Sequence, residues 1–481
     1  MNDIIWGINA LSHDAAISVI NSNGDILFAA HSERYSKIKN DDKLHPDLIK
    51  EALDFGKPDQ IAFFENRWLK KTRQLFDWQF KYVFDNSVFP KNYLKKYDIH
   101  NIVSFKHHES HAASYFTSGF PEAVIVVIDG IGEWNTITIW KAIGNQIDLI
   151  KEINYPHSLG ILYSAFTKRC GLKPNEEEYI LMGMAAYGKP IYFNSIKEDF
   201  IGKGLFSLKK RCEYGIGNYL PNAKIEDLAS SIQSVLEDCV LNIMSEAQKV
   251  SKNLVYSGGV ALNCVANSKI ANMFENIWIM PNPGDAGSSL GCASLLLKKQ
   301  IKWNGPYLGH CIKGEYPIEK ICNQLIKNKI VGVASGKAEF GPRALGNRSL
   351  FADPRIPHIK NAVNDIKKRE KFRPFAPIIS QEDAEEFFDM PIAKTSYMQF
   401  VSHCKHPDFF PAICHIDNTS RVQTISESEH PELHSLIKEY KRKTGCPMLL
   451  NTSLNIKGQP LVNDENDAKL FEQKYRVSVL S

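Results

Sequence analysis

Residues 4–31 alternate short apolar runs with polar turns: IIWGIN, ALSHDA, AISVIN, SNGD and ILFAAHS. β-Branched and aromatic residues in runs of this length, separated by turn residues, predict three strands, and Asn23-Gly24 predicts a hairpin between the second and third. The scheme recurs over residues 124–153 as VIVVID, GIGEWN, TITIWKAI, GNQ and IDLIKEI. In both units the first strand runs into a turn with an acidic residue, Asp14 in one and Asp129 in the other. Two such units with helical sequence between them predict an internally duplicated α/β fold that takes its ligand between the halves.

Further along, residues 225–250 place apolar side chains at 225, 228, 232, 235, 236, 239, 240 and 243, a helical period. NLVYSGGVALN reads as a strand entering a Gly258-Gly259 loop and then a helix, and NIWIMPNPGDAGSSLGCASLLLKK repeats that order. Each loop lies where a strand's carboxyl end meets a helix N-terminus, an arrangement suited to phosphate or another anion. Periodicity fades over KQIKWNGPYLGHCIKG, which puts a boundary near residue 304 and divides the chain into domains 1–304 and 305–481.

Length and composition narrow the class. At 481 residues the chain is too long for one core of usual size. A net charge of +4 spread over that length gives no reason to expect a stable nucleic-acid partner. The ten cysteines form no CxxC pair and suit a reducing cytoplasm. MNDIIWGINA has no basic region before its apolar run, so no signal peptide is expected, and no run approaches the ~20 apolar residues of a membrane span.

Candidate chemistry falls in two places. His107 and His111 stand four apart in KHHESHAASYF, so on a helix they share a face with Cβ atoms roughly 5–6 Å apart, within reach of one metal ion. Asp129, at the end of a buried strand, can add an oxygen ligand; the spacing fits equally a polar helix end before a strand and turn. The second place is a series of basic residues in turns: Arg343 and Arg348 in EFGPRALGNRS, Arg373 in KKREKFRPFAP, and Arg421 in HIDNTSRVQT. Planar guanidinium groups in tight turns suit bidentate phosphate binding, and PMLLNTSLNIKGQPLV adds Asn451 and Ser453.

Taken in order, GINALSHDAA, SERYSKIKND, HHESHAASYF, VVIDGIGEW, YPHSLGILYSAFT, EEEYILMGMAAYG, SGGVALN, PGDAGSSLG and the arginine and NTSLN segments resemble the NodU/CmcH-type O-carbamoyltransferases over nearly the whole chain. The resemblance implies an actin-like, TsaD-like N-terminal domain and an α+β, YrdC-like C-terminal domain. It implies carbamoyl adenylate formation from carbamoyl phosphate and ATP, then carbamoyl transfer to a hydroxyl of a small-molecule acceptor, with AMP released. The implied metal ligands are His107, His111, Asp129 and Asp285, with Fe2+ as the metal and Mg2+ accompanying ATP. On the catalytic side it points to His13 as general base, with Lys39, Arg343 and Arg373. On the nucleotide side it points to Gly130, Gly132, Glu133, Gly258, Gly259, Asn263, Arg348, Arg421, Asn451 and Ser453. A cytoplasmic enzyme is expected, and the resemblance allows a homodimer.

The sequence departs from the family pattern at Ile180, where a lysine is usual, and at Lys457-Gly458-Gln459, where Arg-Gly-Glu is usual. Asn418 replaces a glycine in the turn before Arg421. Two alternatives share the superfold. A tRNA threonylcarbamoyl transferase would favour a pronounced basic face, and a hydrogenase-maturation carbamoyltransferase would carry CxxC repeats. A non-catalytic nucleotide-binding protein would have no use for four metal-ligand residues.

Overall fold

The computed structural model describes residues 3–95, 101–456 and 458–481, so Lys457 lies outside the described residues. They form two compact units, one of Met1–Ser32 with Asn40–Trp303 and the other of Glu33–Lys39 with Asn304–Ser481.

The first unit is built on two five-stranded sheets. One contains β1 (Ile4–Asn9), β2 (Ala16–Asn21), β3 (Ile26–His31), β4 (Gln60–Phe63) and β5 (Ile102–Ser104); the other contains β6 (Glu122–Ile128), β7 (Asn135–Ile143), β8 (Gln146–Asn154), β9 (Asn253–Ser257) and β10 (Asn276–Trp278). Their orders are β3-β2-β1-β4-β5 and β8-β7-β6-β9-β10. In each, three strands form an antiparallel meander, and two more add in parallel on the other side of the first. The duplicated pattern read over residues 4–31 and 124–153 is therefore a duplicated sheet, the α/β arrangement of the actin-like fold. β1 and β6 are the central strands and are buried along nearly their whole length, which is why they read as continuous apolar runs.

Two helices position the site. The helix Ile225–Gln248 buries the apolar stripe seen in the sequence, including Leu228, Ile232, Val235, Leu236 and Ile243. The helix Ser288–Leu297 packs on β1 and on the short helix His107–Ala112. Gly291 permits that second approach, because a Cβ there would lie 1.9 Å from the Ser110 carbonyl oxygen. Any larger residue would push apart the elements that carry His107, His111 and Asp285.

The second unit is centred on a six-stranded mixed sheet ordered Gln423–Ile425, Ala376–Ser380, Met448–Ser453, Arg348–Ala352, Ile330–Ala334 and Val479–Leu480. Helices Ile318–Asn328, Ile359–Ile366, Pro431–Thr444 and Glu465–Tyr475 complete this α+β unit. Residues 33–39, which the sequence reading leaves in the N-terminal domain, belong to it. Arg34 is buried and donates from Nη2 to the carbonyls of Gly341 (2.9 Å) and Glu339 (3.4 Å), and Lys37 pairs with Asp467. The ten cysteines are all free thiols, and nine are buried. No helix among the described residues is long and apolar enough to cross a membrane.

Candidate metal centre

β6 delivers Asp129 directly from its carboxyl end, and the His107–Ala112 helix presents His107 and His111 from a single face. The two imidazoles meet through their Nε2 atoms at 3.1 Å. Asp129 Oδ2 lies 3.3 Å from His107 Nε2, and Asp285 Oδ1 lies 3.4 Å from Nε2 of both histidines. One donor atom from each of the four residues falls within 4.8 Å of the others. Metal–ligand bonds of about 2.0–2.1 Å at tetrahedral or octahedral angles put neighbouring donors roughly 2.9–3.4 Å apart, so the spacing fits a single divalent ion. Two imidazoles with two carboxylates suit a first-row transition metal.

The surrounding backbone holds these donors in place. Asp129 Oδ1 accepts the Gly259 N–H at 2.8 Å, which leaves Oδ2 to face His107. The Gly258-Gly259 loop, read in the sequence as suited to an anion, thus gives one of its N–H groups to the chain's own Asp129. Gly258 has φ +94°, and a Cβ there would lie 2.3 Å from the Ile128 carbonyl oxygen. Gly258→Ala is expected to strain this loop and displace Asp129. Thermal melting should fall, and Co(II) affinity should drop by more than tenfold; unchanged affinity would remove the loop from the account.

Several nucleotide-side candidates have other work here. Glu133 accepts the backbone N–H of Asn66 (2.7 Å) and of His107 (3.0 Å) on Oε1. Gly132 passes so close to the histidine helix that a Cβ would sit 3.1 Å from His107 Cβ. The Gly130 carbonyl accepts the Ser158 hydroxyl at 2.6 Å. Asn263 caps the helix Cys264–Ile270 and exchanges amide hydrogen bonds with Gln233. Glu133 and Gly132 thereby fix the backbone that carries His107.

Burial disfavours charge on His107, but Asp285 and Asp129 outweigh it and hold its pKa well above the usual histidine range. Burial and mutual repulsion likewise oppose ionisation of Asp129 and Asp285, yet the imidazoles beside them hold both carboxyls well below the usual range. His108, between the two ligand candidates in sequence, turns away and pairs its Nδ1 with Thr138 Oγ1 at 2.9 Å. His13 lies in the loop after β1. Its Nε2 donates to the Asn175 carbonyl at 2.9 Å and its Nδ1 faces Asp14 at 3.8 Å. Asp14 pushes its pKa upward against partial burial.

In the second unit the arginines separate into two kinds. Arg348 is fully buried, and its guanidinium donates to the carbonyls of Ser335, Gly336, Asn347, His310 and Asn463 at 2.9–3.2 Å. It knits the loop together and keeps no face for a phosphate. The Glu339 carboxylate beside it accepts the N–H groups of Leu345, Asn347 and Arg348 at 2.7–3.2 Å. Arg343, Arg373 and Arg421 are half-buried, and Lys39 is exposed. Arg373 reaches Glu370 at 3.5 Å. Asn451 is buried and donates to Ala344 O and Gln423 Oε1. Ser453 bonds Asn455 and also accepts from the buried amine of Lys367 at 2.9 Å.

Residues 60–220 and 216–294 match the family model described as Carbamoyltransferase N-terminus, and residues 322–481 match Carbamoyltransferase C-terminus. Nodulation protein NolO of Bradyrhizobium diazoefficiens is 31% identical over 75% of this chain and 75% of its own length. This chain belongs to the carbamoyltransferase family. Uncharacterized protein sll1178 of Synechocystis sp. is 32% identical to this carbamoyltransferase over 96% of the chain and 93% of its own length. Nodulation protein NolNO of Sinorhizobium fredii is 29% identical over 96% of the chain and 76% of its own length.

Two further residues of the carbamoyltransferase stand out. Glu65 is buried directly behind His107. Lys367, part of the basic KKREKFRPFAP series, is buried; desolvation and the neighbouring Arg369 and Arg373 push its pKa well below the usual lysine range. Its one signal in the sequence is its place at the end of the amphipathic helix Ile359–Ile366, on the register of buried Ile359 and Val363.

Proposed function

We propose that the chain is an ATP-dependent O-carbamoyltransferase in which the second unit makes carbamoyl adenylate and the first passes the carbamoyl group to a hydroxyl of a small-molecule acceptor. The observation that carries this reading is the convergence of His107, His111, Asp129 and Asp285 in a chain of the carbamoyltransferase family.

The chemistry explains why an adenylate is useful. Nitrogen lone-pair donation deactivates the carbamoyl carbon, and a mixed anhydride with AMP restores its reactivity. Hydrolysis of carbamoyl phosphate yields carbamate and phosphate. A carbamate oxygen then attacks the α-phosphorus of ATP, and pyrophosphate leaves. Several anionic phosphoryl groups crowd together in that step, so cationic side chains must neutralise and align them. We assign this task to Arg343, Arg373 and Arg421, with Lys39 as a further cation and Mg2+ accompanying the ATP. Arg348 shapes the loop that carries Arg343.

In the first unit the acceptor oxygen attacks the carbamoyl carbon, its proton goes to a base, and AMP departs. His13 takes the proton at Nδ1, because its Nε2–H is committed to the Asn175 carbonyl. A divalent metal held by His107, His111, Asp129 and Asp285, with Fe2+ the assignment by family resemblance, would supply Lewis-acid polarisation there. Because Asp14 raises the pKa of His13, the neutral base becomes available only above the ordinary imidazole range. The kcat/KM of transfer should still rise with pH through neutrality. Asp14→Asn removes the charge that favours imidazolium, so this limb should shift to lower pH. A limb unmoved by that substitution would take His13 out of the proton transfer.

The test of the whole reading is exchange of labelled pyrophosphate into ATP. Exchange that requires carbamoyl phosphate is expected from the purified enzyme. Its absence from folded protein would rule out the adenylate.

A further inference from the structure

A histidine that binds a metal through Nε2 carries its proton on Nδ1, and that N–H is almost always given to a carboxylate, a carbonyl or water. For His111 the partner is Ser257, whose Oγ lies 3.4 Å from Nδ1 and itself donates to the Pro283 carbonyl. For His107 the structure offers something different. Its Nδ1 is buried with no hydrogen bond, and Oε2 of Glu65 stands 3.8 Å away. A movement of about 1 Å would bring this pair to hydrogen-bond distance.

Glu65 is an unusual residue to bury without a task. It follows the carboxyl end of β4, just before Asn66, which caps the helix Arg67–Phe76. Only 1% of its side chain is exposed. Lys70 reaches its two oxygens at 3.0 and 3.1 Å, and Arg67 Nη1 lies 3.4 Å from Oε1. Burial alone would favour the neutral acid, but Lys70 and Arg67 hold the carboxyl well below its usual range.

Both cations also bind the loop after β1. Arg67 donates to the carbonyls of Leu11 (3.0 Å) and Ala10 (2.5 Å), and Lys70 donates to Ser12 Oγ at 3.0 Å. His13 is the next residue. One carboxylate therefore connects the back of a metal-ligand imidazole with the loop that carries the proposed base. Glu133 holds the His107 backbone but does not meet its ring nitrogen.

We infer that Glu65 is the positioning carboxylate of the metal centre, accepting the Nδ1–H of His107 when Nε2 is given to a metal, and that Arg67 and Lys70 tie this contact to the His13 loop. This inference rests on the metal reading above.

Co(II) serves as the probe. Competition with a chromophoric chelator should show Glu65→Gln binding Co(II) about 10–100-fold more weakly than wild type. In the Co(II)-loaded protein the two exchangeable, paramagnetically shifted imidazole N–H resonances report the two ligand histidines, and the one from His107 should move or exchange faster. Glu65→Asp keeps the charge that Arg67 and Lys70 require and draws the oxygen back from Nδ1. It should fold, bind Co(II) with an intermediate affinity and also move that one resonance. Co(II) uptake by wild type with both resonances and the affinity unchanged in the two variants would overturn the role of Glu65. Failure of the wild-type protein to bind Co(II) would overturn this inference together with the metal reading.

Discussion

His111→Ala is expected to abolish carbamoyl transfer while carbamoyl-phosphate-dependent ATP–pyrophosphate exchange continues. The substitution removes one of four converging donors. The affinity of the remaining three should fall well over tenfold, and transfer by more than about 100-fold. His111 belongs to the first unit, and the residues assigned to adenylation belong to the second. Both half-reactions can be assayed on one preparation, with circular dichroism to establish folding. Equal loss of both in a folded variant would contradict the division of labour between the units.

A second large effect separates two arginines that look alike in the sequence. Arg348→Met removes donors from five carbonyl partners, of which those of Ser335, Asn347 and Asn463 are buried. With each unsatisfied buried group costing about 1–3 kcal/mol, the second unit should lose at least ~3 kcal/mol. For a unit of this size that lowers Tm by roughly 6–12 °C. Arg373→Ala loses a contact of 3.5 Å to Glu370, three residues away, a kind of pair worth below about 1 kcal/mol. Its melting should barely change, while pyrophosphate exchange should fall by about 100-fold or more. Calorimetry beside the exchange assay distinguishes them. An Arg348→Met protein that melts normally yet fails to exchange would restore Arg348 as a phosphate ligand.

The contrast shows what the chain discloses before folding. Strand alternation and the Asn23-Gly24 turn are local, so both three-stranded meanders are legible with nearly their observed bounds. His107 and His111 are also local, since a helix turns residues four apart onto one face. Asp285 lies more than 150 residues beyond them, and only resemblance to a family joins it to the pair. Glu65 and Glu339 are hidden for a different reason. Each is a single acidic residue without a motif, and its role comes from the backbone or ring nitrogen that tertiary packing sets against it. Arg348 reads as a phosphate clamp because Gly, Pro and Asn surround it. In the folded unit the carbonyl of Asn347 and, from outside that turn, those of Ser335, Gly336, His310 and Asn463 consume the guanidinium. Residues 33–39 follow the first meander in sequence, yet Arg34 and Lys37 find their partners in the second unit. No local pattern carries that information. Asn418 is a case where local physics does: its φ of +60° is the left-handed conformation that asparagine tolerates best after glycine.

The most direct measurement of the central claim is X-ray absorption at the metal edge of the purified, metal-loaded protein, with the metal-to-chain ratio determined on the same sample. The account predicts one divalent ion per chain in a shell of nitrogen and oxygen donors, with the multiple-scattering signature of two imidazoles that falls to one in His111→Ala. A ratio near zero, a sulfur shell, or a spectrum unchanged by that substitution would contradict it.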